Sequence, residues 1–167
     1  MFIEAKKLIG LPVASLDTQS KIGQIHQILI DPENGHLLGF QVSTGGMLSP
    51  KKILSVIDIR DWDPNGIVTD SFENLVEAGE ILRVKEILAK KINLLGIKAK
   101  TESGKSLGSV EDLLIDTDGQ CVAKYYLKDL LGDARVFSSE KVVKIDDGII
   151  FADDVAEIPT GAAGAAA

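Results

Sequence analysis

The chain has 167 residues, of which 45% are hydrophobic and 26% are charged, and its formal net charge is −7. This composition is that of a soluble globular protein and excludes a chain that is mainly disordered. A negative chain repels phosphate groups, so direct binding of nucleic acid is not expected. The longest apolar runs are far shorter than the ~20 residues of a membrane-spanning helix, so membrane insertion is not expected either.

The beginning of the chain and its cysteine content point to the cytoplasm. The first residues, MFIEAKKLIG, lack the basic start and the long apolar stretch of a signal peptide. The single cysteine, Cys121, cannot form a disulfide within the chain, which fits a reducing compartment.

In chain order, short β-rich segments alternate with turns, and one helical segment interrupts them. The strands predicted in the first half are residues 12–16, 22–31, 36–43, 52–56, 57–62 and 66–70. The segments DPENG and DPNG between them indicate tight turns, because Asp, Asn and Gly tolerate positive φ. Ile81, Val84 and Leu88 then recur at helical spacing, which predicts a helix near residues 80–92. The strands predicted after it are residues 97–101, 107–116, 120–127, 135–138, 142–145 and 149–152.

The two halves of the chain repeat one another. The segment KIGQIHQILIDPENG around Gly23 resembles SLGSVEDLLIDTDG around Gly108, and the offset between the copies drifts from 86 to 82 residues along the repeat. The identical pairs are Gly23 and Gly108, Leu29 and Leu114, Ile30 and Ile115, Asp31 and Asp116, Gly35 and Gly119, and Gly66 and Gly148. Because glycines, turns and aliphatic positions keep their order, the repeat indicates a duplicated domain.

A shared irregularity in the longest strand predicts a β-bulge in each copy. Ile25 lies three residues before Ile28, where strict alternation requires two, and Val110 stands in the same relation to Leu113. One extra residue at positions 26–27 and 111–112 would return both aliphatic side chains to the interior and bend the strand. The alternative is that Ile25 and Val110 face outward.

These features together predict a mainly all-β fold of two tandem small antiparallel β-barrels joined by a short helix. The predicted domains are residues 1–76 and 94–158, with a helical linker over residues 77–93. The Ala- and Gly-rich tail, residues 159–167, has nothing to bury and is expected to be disordered.

The repeated segments resemble the PRC-barrel family. The resemblance rests on LIGLPV and LLGIKA, on GQIHQILID and GSVEDLLID, and on the later ILSVIDI and VFSSEKV, and it spans residues 8–70 and 94–153. The second copy, with Glu111 and Asp112 where the first has His26 and Gln27, is nearer to the family's usual form. The family includes the cytoplasmic domain of the photosynthetic reaction centre H subunit and the C-terminal domain of the bacterial ribosome maturation factor. The resemblance implies a non-catalytic module that docks onto larger assemblies.

No arrangement of reactive residues predicts catalysis, a metal site or a cofactor. His26, His36 and Cys121 show no metal-ligand spacing, and no serine has a histidine and acid partner by motif. The segment DTDG lacks the later ligands of a calcium loop. We therefore expect no catalytic, metal-binding or cofactor-binding residues.

The candidate partner-binding residues are apolar side chains that the pattern leaves near the surface. Tyr125 and Tyr126 are adjacent on a strand, so one faces inward and the other outward, where it could anchor an interface. Leu130 and Leu131 fall in a loop, and Met47 and Leu48 occupy the same loop of the first copy. These side chains either fill the end of a barrel or are exposed and contact a partner.

Three functions are compatible with this sequence. The first is a tandem-barrel adaptor that binds a protein partner of unknown identity or associates with itself. The second is a ribonucleoprotein assembly factor whose acidic surface binds a basic ribosomal protein. The third is a small-ligand binder or an enzyme that uses a cleft between the barrels.

Overall fold

The computed structural model describes residues 1–46 and 49–159, and strands dominate it. The strands are β1 (Phe2–Glu4), β2 (Pro12–Ser15), β3 (Ser20–Ile30), β4 (Leu37–Ser43), β5 (Lys51–Ser55), β6 (Ile59–Asp63), β7 (Gly66–Thr69), β8 (Leu75–Glu77), β9 (Lys98–Thr101), β10 (Ser106–Asp116), β11 (Cys121–Lys128), β12 (Ala134–Ser138), β13 (Val142–Ile145) and β14 (Ile149–Phe151). The helices are α1 (Ala5–Leu8) and α2 (Leu82–Lys90). Within the described residues, no helix has the length and apolar character needed to span a membrane. The tail, residues 160–167, and the pair Met47 and Leu48 lie outside the described residues.

The chain forms two compact units. The N-terminal unit comprises Lys6–Asp31 and Leu37–Lys91, and the C-terminal unit comprises Met1–Ala5, Pro32–His36 and Ile92–Ala167. Strand β1 is therefore part of the C-terminal unit, where it pairs with the end of β10. The Met1 carbonyl accepts hydrogen bonds from the backbone N–H and the hydroxyl of Thr117, each 2.9 Å long.

Each unit contains one sheet, and the two sheets have the same strand order. The N-terminal sheet runs β6-β7-β2-β3-β4-β5-β8, and the C-terminal sheet runs β13-β14-β9-β10-β11-β12, with β1 added on β10. Val76 of β8 pairs with Ile53 on the edge of the first sheet, as Ile158 bridges Val136 in the second. The mainly β fold of two tandem barrels is thus confirmed. The pairs β2–β7 and β9–β14 are parallel, a departure from the fully antiparallel barrels expected, because the second strand of the last hairpin in each unit, β7 or β14, lies beside β2 or β9.

Both predicted bulges are present. The register of β3 against β4 shifts between Ile25 and Gln27, and that of β10 against β11 shifts between Val110 and Asp112. Ile25 is 1% exposed and Val110 is 2% exposed, so the bulge returns both side chains to the interior. A second shift, not predicted, follows Leu29 in one copy and Leu114 in the other. The extra residue lies on β3 or β10 at the first shift and on β4 or β11 at the second, so both strands of the pair bend and the small sheet can curl around its core.

The predicted helix packs on the outside of the N-terminal sheet. Val84 of α2 is buried against Leu29 and Ile53. The guanidinium of Arg83 donates to both carboxylate oxygens of Asp31, at 2.8 and 2.6 Å. This bidentate pair satisfies a carboxylate that is nearly buried, and it fixes the start of the helix on the sheet.

The glycines that identify the repeat stand where two strands approach closely. A Cβ on Gly23 would lie 2.8 Å from the carbonyl oxygen of Ser43, and one on Gly108 would collide with the carbonyl oxygen of Lys128. Gly108 also has a φ of 111°, which strains any other residue. Ser43 and Lys128 occupy equivalent places at the ends of β4 and β11. Glycine is therefore required at this crossing in both units.

We expect Gly23→Ala and Gly108→Ala each to lower the free energy of unfolding by about 2–4 kcal/mol, because the added methyl group meets backbone that cannot move away. Gly79→Ala is the matched control, since a Cβ at Gly79 has no atom within 4 Å and its change should stay within about 0.5 kcal/mol. Urea unfolding followed by circular dichroism measures all three. Equal effects at the three sites would contradict the close crossing.

In each unit an aspartate joins two equivalent loops, but it comes from the loop after β2 in one unit and from the segment after β14 in the other. In the N-terminal unit Asp17 accepts hydrogen bonds from the Ser71 hydroxyl, 2.8 Å away, and from the backbone N–H of Phe72. In the C-terminal unit Asp153 accepts from the backbone N–H of Ser103, also 2.8 Å away. Hydrogen bonds from Ser15, Ser71 and backbone groups lower the pKa of Asp17 to about 2, and bonds from Ser103 lower the pKa of Asp153.

We expect the Asp17 bonds to stabilise the protein fully at pH values above the ordinary pKa of 3.8 and to be lost as the pH falls toward about 2. The lowered pKa means that the folded state holds its proton less tightly than the unfolded state, so acid favours unfolding. Asp17→Asn should therefore be less stable than the unchanged protein at pH 7 and nearly equal to it near pH 2. Thermal unfolding across that range measures the difference. A gap that stays constant with pH would exclude this role for the carboxylate.

Candidate functional site

The two adjacent tyrosines lie on opposite faces of β11. Tyr125 is 1% exposed, and its ring meets the Phe151 ring edge-on with the centroids 5.6 Å apart. Tyr126 is half-buried on the outer face, opposite Asp112 on β10 and Val136 on β12. The expectation that Tyr125 could belong to an exposed partner-binding surface is corrected, because its side chain lies in the core. The outward tyrosine is Tyr126.

The loop between β11 and β12 displays two leucines in full. Leu130 is 101% exposed and Leu131 is 89% exposed, the two highest values among the large hydrophobic residues that the structure describes. Burying one such side chain against a partner contributes about 1.5–3 kcal/mol. The two leucines therefore expose apolar surface that a partner could bury.

The leucine loop, residues 129–133, is held in one conformation by its own hydrogen bonds. The Asp129 carboxylate accepts from the backbone N–H groups of Leu131 and Asp133, at 2.8 and 3.0 Å. The N–H of Asp129 donates to the Asp133 carbonyl, and the N–H of Gly132 donates to the Asp129 carbonyl, both at 3.1 Å. Gly132 supplies the positive φ that the turn needs. A partner would thus meet a prearranged tip and lose little entropy on binding it.

The equivalent loop of the first copy contains the other two candidate partner-binding residues. Its two candidate residues, Met47 and Leu48, lie outside the described residues. On either side of them, the Ser49 N–H donates to the Gly46 carbonyl at 2.9 Å.

The net charge of the chain resides in the C-terminal unit. That unit holds 8 Lys and Arg residues against 15 Asp and Glu residues, whereas the N-terminal unit holds 10 of each. The leucine loop contributes Asp129 and Asp133, and the nearby bulge of β10 contributes Glu111 and Asp112. Two of the five residues of the leucine loop are acidic, although Lys128 directly precedes it, and the excess of acidic side chains in the unit favours a positively charged partner surface.

A cavity of about 290 Å³ lies within the C-terminal unit. The turn Pro32–His36 forms one wall, residues 142–145 of β13 form another, and Val122 and Tyr125 lie at its base. Sequence reasoning missed this cavity as a feature of one barrel. The repeat could have revealed it, because the alignment of the two copies matches Ile145 with the larger Trp62.

Cys121 lines this cavity beside His36, with which it forms a β-bridge. Burial raises the pKa of its thiol, and the charge of Asp116 adds to the effect, so the thiol stays protonated at neutral pH. The strand registers pair Ile30 with Leu37 and Ile115 with Val122. Cys121 is thus the counterpart of His36 in the repeat.

Comparison with known proteins identifies the first copy of the repeat. Residues 1–76 match the family model of the PRC-barrel domain. No curated protein shows significant sequence similarity to the chain. The C-terminal unit repeats the strand order and the first bulge of the matched segment, so the resemblance found in the sequence is confirmed in fold.

Proposed function

We propose that this chain, whose residues 1–76 match the family model of the PRC-barrel domain, is a non-catalytic docking protein that binds a protein partner or a second copy of itself. The proposed contact is the leucine loop of the C-terminal unit. Catalysis and a bound cofactor form no part of this function.

The observation that carries the proposal is the rigid display of Leu130 and Leu131. Exposed aliphatic side chains cost solubility, and a loop that only connects two strands has no need of them. Here the carboxylate of Asp129 fixes the backbone on which both are mounted. A prearranged apolar tip is the kind of feature that inserts into a pocket of a partner.

The charge around the tip favours a basic partner. The C-terminal unit has seven more acidic than basic side chains, so it attracts a positive surface and repels a second acidic one. A basic ribosomal protein has the required chemistry, and an assembly factor for ribonucleoprotein particles is therefore the second candidate function. In that case the chain is expected to sediment with precursors of the small ribosomal subunit.

We expect Leu130→Ser combined with Leu131→Ser to weaken binding at least tenfold, because the apolar anchor is removed while the loop bonds remain. The tagged full chain is used to recover bound proteins at about 50 mM salt, where charge attraction is weakly screened. The affinity for each recovered protein is then measured with purified components. Sedimentation equilibrium tests association with a second copy.

The matched control removes two exposed aliphatic side chains from the other unit. Ile57 is 79% exposed and Leu82 is 71% exposed, so Ile57→Ser combined with Leu82→Ser changes surface hydrophobicity by a similar amount. Both double variants should melt within a few degrees of the unchanged protein, because none of the four side chains is buried. Equal loss of binding in the two variants, or no loss in either, would refute the leucine loop as the docking site.

A further inference from the structure

The cavity of the C-terminal unit occupies a place that a side chain fills in the N-terminal unit. In the N-terminal unit the half-buried Trp62 packs edge-on against Phe40, with the ring centroids 5.8 Å apart. Trp62 pairs with Ile67 across its hairpin, as Ile145 pairs with Ile149 across the equivalent hairpin. Ile145 therefore stands where Trp62 stands, with a much smaller side chain.

The base of the cavity is the counterpart of the Phe40 ring. Phe40 pairs with Ile28, and Tyr125 pairs with Leu113, at equivalent points of the two sheets. Phe151 supplies the aromatic contact to Tyr125 in the C-terminal unit. The cavity is lined by both Tyr125 and Ile145. The C-terminal unit thus keeps an aromatic ring, that of Tyr125, at the position of Phe40. It lacks the indole ring that packs on Phe40 in the other unit.

Tyr125 adds a polar group that Phe40 does not have. The residue is 1% exposed, and its hydroxyl makes no hydrogen bond to any residue that the structure describes. No fully enclosed side-chain oxygen in the described chain lacks a partner, so the Tyr125 oxygen is not fully enclosed, and Tyr125 lines the cavity. A nearly buried hydroxyl without a protein partner is unusual, because an unsatisfied group of this kind costs about 1–3 kcal/mol.

We propose that this cavity binds a small planar aromatic molecule, whose ring takes the place of the Trp62 indole and whose polar group forms a hydrogen bond with the Tyr125 hydroxyl, as acceptor or as donor. Volumes of about 300–1,000 Å³ are typical of ligand sites, so a cavity of 290 Å³ suits a compound of one or two rings. Val122, Val142 and Ile145 supply apolar walls beside polar lining residues such as Glu140 and Lys144, and Tyr125 supplies the polar group at the base that orients the ligand. This site goes beyond the docking function and does not depend on it.

The probes are phenol and indole, which carry a polar group, and toluene, which has a ring without one. Ligand-observed NMR titration of the full chain gives the affinities, which we expect in the range from about 0.1 mM to several mM for compounds of this size. Because Cys121 is the single cysteine of the chain, the rate of its alkylation by iodoacetamide is a second readout. A bound ring should slow that rate, since the thiol lines the same cavity.

Three variants test the geometry. Ile145→Trp should abolish binding of all three probes, because the introduced tryptophan side chain fills the cavity. Ile150→Trp is the matched control, because Ile150 lies on the same hairpin and does not line the cavity, and it should bind as the unchanged protein does. Tyr125→Phe should weaken phenol binding about three- to tenfold and leave toluene binding unchanged, as expected for one lost hydrogen bond.

The measurements on the unchanged protein decide the matter even where a variant fails to fold. Saturable binding of phenol or indole, together with protection of Cys121, supports the site. No binding at concentrations up to about 10 mM, or binding that leaves the alkylation rate of Cys121 unaltered, overturns it. Binding that survives unchanged in a folded Ile145→Trp protein overturns it as well. Each result is independent of whether the leucine loop binds a protein.

Discussion

The close approach of two strands at Gly23 and at Gly108 is the constraint on which both barrels depend. At this point β3 or β10 leaves one neighbouring strand for the next, and the bulge that follows within three residues turns the strand further. A strand of eleven residues can then pair with β2 or β9 at one end and with β4 or β11 along the rest. Without room for the backbone at the crossing, the sheet would flatten and the short strands would not enclose a core.

Once the backbone is fixed by glycines, bulges and turns, the side chains of the two copies are free to diverge. The N-terminal unit is neutral overall and fills the end of its barrel with Trp62, and it carries α2 through the buried carboxylate of Asp31. The C-terminal unit is acidic, and it has Tyr125 and Phe151 where the first has Phe40 and Thr69. The differences that matter for binding therefore lie in one unit, which is what a duplication allows.

Periodicity and repetition predicted most of the fold, because the relevant signals are local. The bulge after Ile25 could be predicted because aliphatic spacing changes there. The second register shift, after Leu29, could not be predicted, since its extra residue, Leu38 of β4, suits either face. Strand β1 was missed because its partner, Asp116, lies more than a hundred residues away. The side of the sheet on which Tyr125 falls depends on that second bulge, and sequence alternation alone leaves it open. The cavity depends on summed side-chain volumes in three dimensions, so only the unequal pair Trp62 and Ile145 hinted at it.

The leucine loop and the cavity of the C-terminal unit are held in shape by different interactions. The shape of the leucine loop is set by hydrogen bonds from its backbone to the Asp129 carboxylate. Its apolar tip is exposed, so burial does not contribute to that shape. The base of the cavity is set by the packing of buried side chains such as Tyr125, and its lining combines apolar residues with polar ones. The packing around Tyr125 does not depend on hydrogen bonds to a charged group. The two sites can therefore fail separately, because different interactions hold them.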